Sequence, residues 1–327
     1  MGVKLKDIIE PKSINFKYLE GRTIAIDAFN TLYQFLSSIR QRDGTPLMDY
    51  DGNITSHLSG ILYRNASIVE KGMKPIYIFD GKSSQLKKNT VDKRREIRDE
   101  SEKKWKEALE NHDMAQAKKY ASRSAKLSPE IIESSKKLLD LMGIPYIEAA
   151  GEGEAQASYM VQKGDAWAVS SQDYDCLLFG ANRVVRNLTI NSNLGNLEFY
   201  ELKKVLEKLA ISQEDLIKMG ILIGTDFNEG LYRVGAKTAF KYAKQGKLDE
   251  SIAKLEKETN QNIDKVIDLF KNPNVNKDYK IKWNKPKTEE ALIFLCDEHG
   301  FSEDRVVNTF SKLKKLDSSQ KSLEDWF

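Results

Sequence analysis

Four short apolar runs, each stopping at a carboxylate, constrain this chain more than any other feature of its sequence. TIAIDA reaches Asp27, PIYIFDG reaches Asp80, AWAVSSQDYD reaches Asp173 and Asp175, and ILIGTD reaches Asp226. Runs of this length and composition read as buried strands, although ILIGTD fits a helix end equally well, because periodicity cannot separate the two over so few residues. Between them lie amphipathic helical patterns. Leu58, Ile61, Leu62, Ile68 and Val69 recur at helical spacing before Gly72. Ser128 as N-cap and Pro129 at the first helical position open a helix that carries Ile131, Ile132, Leu138, Leu139 and Met142 and closes at Gly143. Strands alternating with helices predict an α/β fold, a mostly parallel central sheet flanked by helices. Ligands of such sheets bind off the carboxyl ends of the strands, which is where these acids fall.

The chain has 327 residues, 40% of them hydrophobic, enough to bury a large core, so disorder along its whole length is excluded. It has no apolar run of about 18 residues, and MGVKLKDII lacks a signal-peptide core, so a cytoplasmic, nucleoid-associated monomer with no membrane contact is expected. Myristoylation at Gly2 fails at Lys6, where the motif needs Ser or Thr. Cys176 and Cys296, with His57, His112 and His299, are too scattered for zinc or a Cys–His nucleophile and are expected to serve the core.

Because 52 Lys and Arg nearly balance 49 Asp and Glu, the distribution of charge matters more than its +3 total. An insertion over 82–128 breaks the strand–helix alternation, and between 82 and 126 it holds 14 basic residues against 8 acidic ones. The helix expected over 92–110 offers only Ile97, Trp105, Ala108 and Leu109 as apolar residues, too few for a core-facing stripe, so it should stand off the body. A solvated charged helix is the ordinary meaning of such a run; its place directly after an acid-bearing strand argues for a role at the same edge. A second unit, over 216–243, joins a helical pattern to a turn-rich stretch and then to Gly235-Ala236-Lys237, which opens another helix. Amides at a helix N-terminus beside a lysine suit a phosphate backbone. Helices are expected again over 288–315, giving one domain over 1–315 followed by a short tail, 316–327.

Asp27, Asp80, Glu152, Glu154, Asp173, Asp175 and Asp226 stand at strand ends or helix starts. Any one of them could be a helix cap, but a converging set would repel and raise its own pKa values unless cations neutralised it. An all-oxygen cluster without His or Cys suits Mg²⁺ or Mn²⁺. Two such ions about 3.5 to 4 Å apart can activate water and stabilise the leaving oxygen of a phosphodiester. With basic residues alongside, phosphodiester hydrolysis is the natural reading.

The strings AIDAFNTLYQFLSSIRQ, TSHLSGILYR, KPIYIFDGK, GEGEAQASYM, SSQDYDCLLFG and ILIGTDFNEG resemble, in order and over nearly the whole chain, the motifs of the flap endonuclease family of structure-specific 5′ nucleases in an archaeal form. The resemblance implies a sheet-centred nuclease domain with a helical arch, removal of 5′ flaps in replication and repair, 5′ exonuclease action on nicks and gaps, and two Mg²⁺ ions that Mn²⁺ can replace. By position, the seven acids match the family's metal ligands, and Lys87 and Arg94 match its arch residues that polarise the scissile phosphate. Tyr33 matches an aromatic that stacks on a substrate base. Gly2 would become the N-terminus near the metals, and Gly235 and Lys237 would hold the duplex. Gln320, Leu323, Trp326 and Phe327 match the peptide that binds a PCNA-type sliding clamp.

Four positions depart from the family. Ser83 and Ser84 stand where two prolines are frequent, Gly151 replaces a frequent serine, and Arg233 replaces the first glycine of a Gly-x-Gly-x-Lys turn that carries a potassium ion. The rival readings are a superfamily nuclease cutting four-way junctions and a non-catalytic DNA-structure binder of the replisome; the full set of seven acids argues against the second.

Overall fold

The computed structural model describes residues 2–82, 84–189 and 197–317. Seven strands form one sheet: β1 (Lys12–Ile14), β2 (Thr23–Asp27), β3 (Lys74–Phe79), β4 (Tyr146–Glu148), β5 (Ala168–Ser170), β6 (Arg183–Arg186) and β7 (Leu197–Glu201). Their spatial order is β1-β7-β6-β5-β2-β3-β4. The five strands from β6 to β4 run parallel, and β7 and β1 add antiparallel pairs at one edge. The expected α/β class with a mostly parallel sheet is therefore observed, in a mixed sheet. Short β1, β4, β6 and β7 escape the sequence patterns because each is only three to five residues long and β1, β6 and β7 carry charged residues within them.

Alternation along the strands divides the core into two layers. Ala25, Ile76, Ile78 and Val169 face one side, while Ile24, Ile26, Tyr77 and Phe79 face the other. The helices are α1 (Ala28–Ser38), α2 (Ser56–Glu70), α3 (Lys88–Glu110), α4 (Met114–Arg123), α5 (Pro129–Leu141), α6 (Gly153–Lys163), α7 (Asp175–Leu178), α8 (Leu202–Leu209), α9 (Gln213–Ile223), α10 (Ala236–Lys244), α11 (Leu248–Thr259), α12 (Ile263–Lys271), α13 (Thr288–Leu292) and α14 (Glu303–Leu313). Helices α1, α2, α5, α13 and α14 supply the Ile24 side, and α6 to α9, α11 and α12 supply the Ala25 side. Helix α5 begins as its sequence dictates, with the Ser128 side chain accepting from the Ile131 amide and Pro129 at the first position. Both cysteines are free thiols, Cys176 buried and Cys296 half-buried. No helix among the described residues is long and apolar enough to cross a membrane.

The fold settles one reading left open and moves one boundary. ILIGTD is the helix end of the two readings it allowed: Ser212 and Asp215 form a reciprocal capping box that starts α9, and the helix stops at Gly224, whose φ of 102° few other residues adopt. The basic helix begins at Lys88, four residues earlier than expected, and its main packing partner is α4, the other helix of the insertion. It pairs with α4 through small side chains, Ser101 and Ala108 on α3 and Ala117 and Ala121 on α4, all buried. Counting large apolar residues misses an interface of this kind, since alanines permit close helix approach.

Candidate active site

Strand β2 has β3 on one side and β5 on the other, so the chain leaves β2 in opposite directions and opens a crevice at the carboxyl ends. Asp27 ends β2 and caps α1, its Oδ1 accepting from the Asn30 amide at 3.0 Å. Asp80 follows β3 and accepts the Gly153 amide at 2.7 Å. A Cβ on Gly153 would lie 2.6 Å from that Asp80 oxygen, so only glycine lets the start of α6 come this close. Glu152 is the N-cap of α6 and Glu154 lies in its first turn, where the helix dipole favours negative charge. Asp173 follows β5, and Asp175 opens α7. Asp226 reaches the group from the turn after α9.

Neutral groups fix these carboxylates. The Gly2 amide donates to Asp173 Oδ1 at 2.9 Å and the Val3 amide to Asp175 Oδ1 at 2.7 Å. A Cβ on Gly2 would stand 2.6 Å from Asp175 Oδ1. Ser171 Oγ lies 3.0 Å from Glu154 Oε1 and 3.3 Å from Asp27 Oδ2, and its single proton serves one of them at a time. Asn30 Nδ2 donates to Asp173 Oδ2 at 3.2 Å. Sequence reasoning passed over Ser171 and Asn30; their only signal is adjacency to the acid-bearing strand ends.

Burial, then repulsion from Asp80, raises the Asp27 carboxyl to about 7. Burial likewise lifts Asp175 to about 7 and Asp80 to about 6, and it pushes Glu154 well above its ordinary value, with Asp175, Asp173 and Asp27 adding to the effect. The arch cations supply part of the missing counter-charge. Lys87 Nζ lies 2.5 Å from Glu152 Oε2 and 3.7 Å from Asp226, and Arg94 lies 2.5 Å from Asp226 Oδ1. Burial opposes the Lys87 charge, but Glu152, Asp80 and Asp226 outweigh it and hold the ammonium protonated. Nearby, Lys93 pairs with Glu229, and Arg98 donates to the Tyr33 hydroxyl at 2.9 Å. Among the described residues no three His, Cys or acidic side chains are grouped closely enough to enclose an ion; Glu152 and Asp226 are drawn onto Lys87 and Arg94 instead.

The sequence matches the XPG N-terminal domain over residues 1–101 and the XPG I-region over residues 143–226. It is 68% identical to the flap endonuclease 1 of Methanobrevibacter smithii and 56% identical to that of Methanothermobacter thermautotrophicus, with all of this chain and all of each relative covered. The chain belongs to the flap endonuclease family. The solved flap endonuclease-1 from Methanococcus jannaschii shares the fold with a TM-score of 0.79 at 45% identity, covering 96% of this chain and 98% of that one. The resemblance carried by the six strings is thus borne out, and the chain is a nuclease of the XPG family.

In this flap endonuclease the departure at Arg233 falls in the turn between α9 and α10. Arg233 takes a φ of 60°, the left-handed conformation that a glycine would adopt freely. Gly235 then caps α10, with no side chain covering the first-turn amides, and Lys237 is exposed beside them. Gln320, Leu323, Trp326 and Phe327 lie outside the described residues.

The raised carboxyls set a pH dependence. A carboxyl with a folded value above its unfolded one favours folding while it is protonated. That contribution is complete below the unfolded value of 3.8 and is lost as pH rises, to about 6 for Asp80 and about 7 for Asp27 and Asp175. Without divalent cation, the melting temperature should fall by several degrees from pH 5 to pH 8, and Mg²⁺ should restore more of it at pH 8. Calorimetric scans with EDTA and with Mg²⁺ check this; the same Mg²⁺ increment at both pH values would show that the acids do not take the ion.

Proposed function

We propose that this nuclease is a structure-specific 5′ flap endonuclease of replication and repair, with 5′ exonuclease action at nicks and gaps, and that it uses two divalent cations. One observation supports this above the others: Lys87 and Arg94 of the arch stand on Glu152 and Asp226 at the switch point of a parallel sheet. A site that sets cations and acids side by side fits a phosphate between ligated metal and protein cations.

The donor set fits hard divalent ions. Its ligand atoms are carboxylate oxygens, burial and mutual repulsion disfavour the ionised form of several of them so that a cation would restore it, and Glu152 Oε1 is buried with no hydrogen-bond partner. Asp27, Asp80, Glu152, Glu154, Asp173, Asp175 and Asp226 would hold two Mg²⁺, or Mn²⁺ in their place. When bound, the ions supply the charge that activates water and stabilises the leaving oxygen. Lys87 and Arg94 transfer from their acids to the non-bridging oxygens of the scissile phosphate. Tyr33, held by Arg98, offers its ring to an unpaired base. Gly2 keeps the Asp173 carboxylate oriented.

The α10 start holds the duplex backbone through the amides at Gly235 and through Lys237; a potassium ion at the same turn would stand beside the added positive charge of Arg233. A sliding clamp of PCNA type would dock on Gln320, Leu323, Trp326 and Phe327. Lys237→Ala should weaken flap binding equally for all sequences and lower the salt slope by about 0.9, because a phosphate contact reads no base; titration over a range of salt concentrations measures it, and an unchanged slope would place the duplex elsewhere. The whole reading is tested by incubating labelled double-flap, nicked, gapped and four-way-junction DNA with the protein in Mg²⁺ and in EDTA. Preferred cutting of the flap in Mg²⁺ alone is expected; preferred cutting of the junction would favour the related resolving activity.

A further inference from the structure

Behind Glu152 lies a cleft of about 320 Å³, formed by the β4–α6 turn, the start of the arch and the end of α12, with Lys82 and Lys265 on its rim and Asn272 and Asn274 beside them. From this cleft the chain runs on through 273–287 without regular secondary structure. The strap is pinned at several points to α6, the loop after it and the start of β3. Gln156 exchanges two hydrogen bonds with the Asn276 backbone at 2.9 and 2.6 Å, the Tyr279 hydroxyl donates to Asp165, and Trp283 Nε1 donates to the Pro75 carbonyl at 3.0 Å. Between these anchors Tyr279, Ile281 and Trp283 pack inward on the core, while Lys277, Lys280 and Lys282 face solvent.

Outside the arch, the strap is a second stretch where basic residues outnumber acidic ones. Residues 271–287 include six lysines and one aspartate, a local excess larger than the +3 of the entire protein. Many surface lysines elsewhere stand within reach of a carboxylate. Lys82, Lys265, Lys277, Lys280 and Lys282 have no carboxylate partner among the described residues; Glu152 and Asp268 on the cleft wall and Asp278 on the strap are the neighbouring acids. Lysines do blunt exposed sheet edges, and β4 is an edge strand. Blunting would be served by charge of either sign, and it does not account for two more unpaired lysines on the cleft.

We infer that this row is an electrostatic track for the displaced 5′ single strand, which leaves the scissile position past Glu152, enters the cleft and runs down the strap. A single file of point charges, extending over about 17 Å between Lys277 and Lys282 if fully extended, fits one flexible backbone and not the two phosphate rows of a duplex. Such contacts read no sequence. The inference rests on the flap reading above, since it needs a displaced strand to exist.

The test uses the full-length protein and the triple variant Lys277→Ala/Lys280→Ala/Lys282→Ala, with double-flap substrates whose 5′ flap is lengthened stepwise from a single nucleotide. Binding and cleavage of the shortest flap should be unchanged. For flaps long enough to reach the strap, Kd should rise about tenfold and the salt slope should fall by about 2, the release expected for three single-strand contacts. The Lys→Arg triple variant should behave like the unaltered protein. Identical length dependence in the alanine variant and the unaltered protein would overturn the track, as would an equal loss on all flap lengths, which marks general attraction only. Failure of the unaltered protein to cut any flap would overturn the flap reading itself, a result distinguishable from the other two.

Discussion

Asp80→Ala and Asp173→Ala are each expected to lower the turnover of flap cleavage by several orders of magnitude while duplex binding survives. Loss of a ligand to catalytic ions removes electrostatic stabilisation of about 3 kcal/mol or more, and these two acids approach the crevice from different strands, so one defect should not mask the other. Asp80 also anchors the Gly153 amide, so Asp80→Asn provides the conservative comparison. A second readout separates chemistry from folding. Asp80 is raised to about 6 chiefly by burial, so removing it relieves an unfavourable charge, and the metal-free variant should melt no lower than the parent at pH 8. Single-turnover kinetics beside thermal scans decide the matter: near-normal cleavage by both variants would move the metal site elsewhere.

Arg94→Ala should reduce the single-turnover rate by at least about a hundredfold, far more than it weakens binding, whereas Lys103→Ala should chiefly shift the salt dependence. Both residues lie on α3, but Arg94 reaches Asp226 in the crevice while Lys103 points to solvent. The comparison therefore separates a group that acts on the reacting phosphate from one that adds only long-range attraction. If both variants lost affinity alike and regained it at low salt, α3 would be a solvated basic helix and no more.

Much of this site was legible before any coordinates. Asp27, Asp80, Asp173 and Asp175 could be placed at one edge because strand ends in a parallel sheet share a direction, and Ser128, Pro129 and Gly143 marked a helix by cap chemistry alone. For Asp226 the strand and helix-end readings were both open; the run before it is a helix, and the acid comes from the turn after α9 and not from a strand. The arch was noticed through its charge, but the pairing of its two helices was not, because Ser101, Ala108, Ala117 and Ala121 carry little hydrophobic signal and still make a close interface.

What the linear chain determined by itself is what depends on local rules: alternation, caps, the types of ligand atom, and the sign of the charge along each stretch. Only the tertiary structure decided which groups meet. The Gly2 amide on Asp173, Ser171 between Asp27 and Glu154, Lys87 between Glu152 and Asp226, and the strap pinned at Gln156 and Pro75 all join residues far apart in sequence. No spacing rule reaches across such separations. Partners of this kind are chosen by which strands lie side by side, and that order follows from burying both faces of the sheet at once.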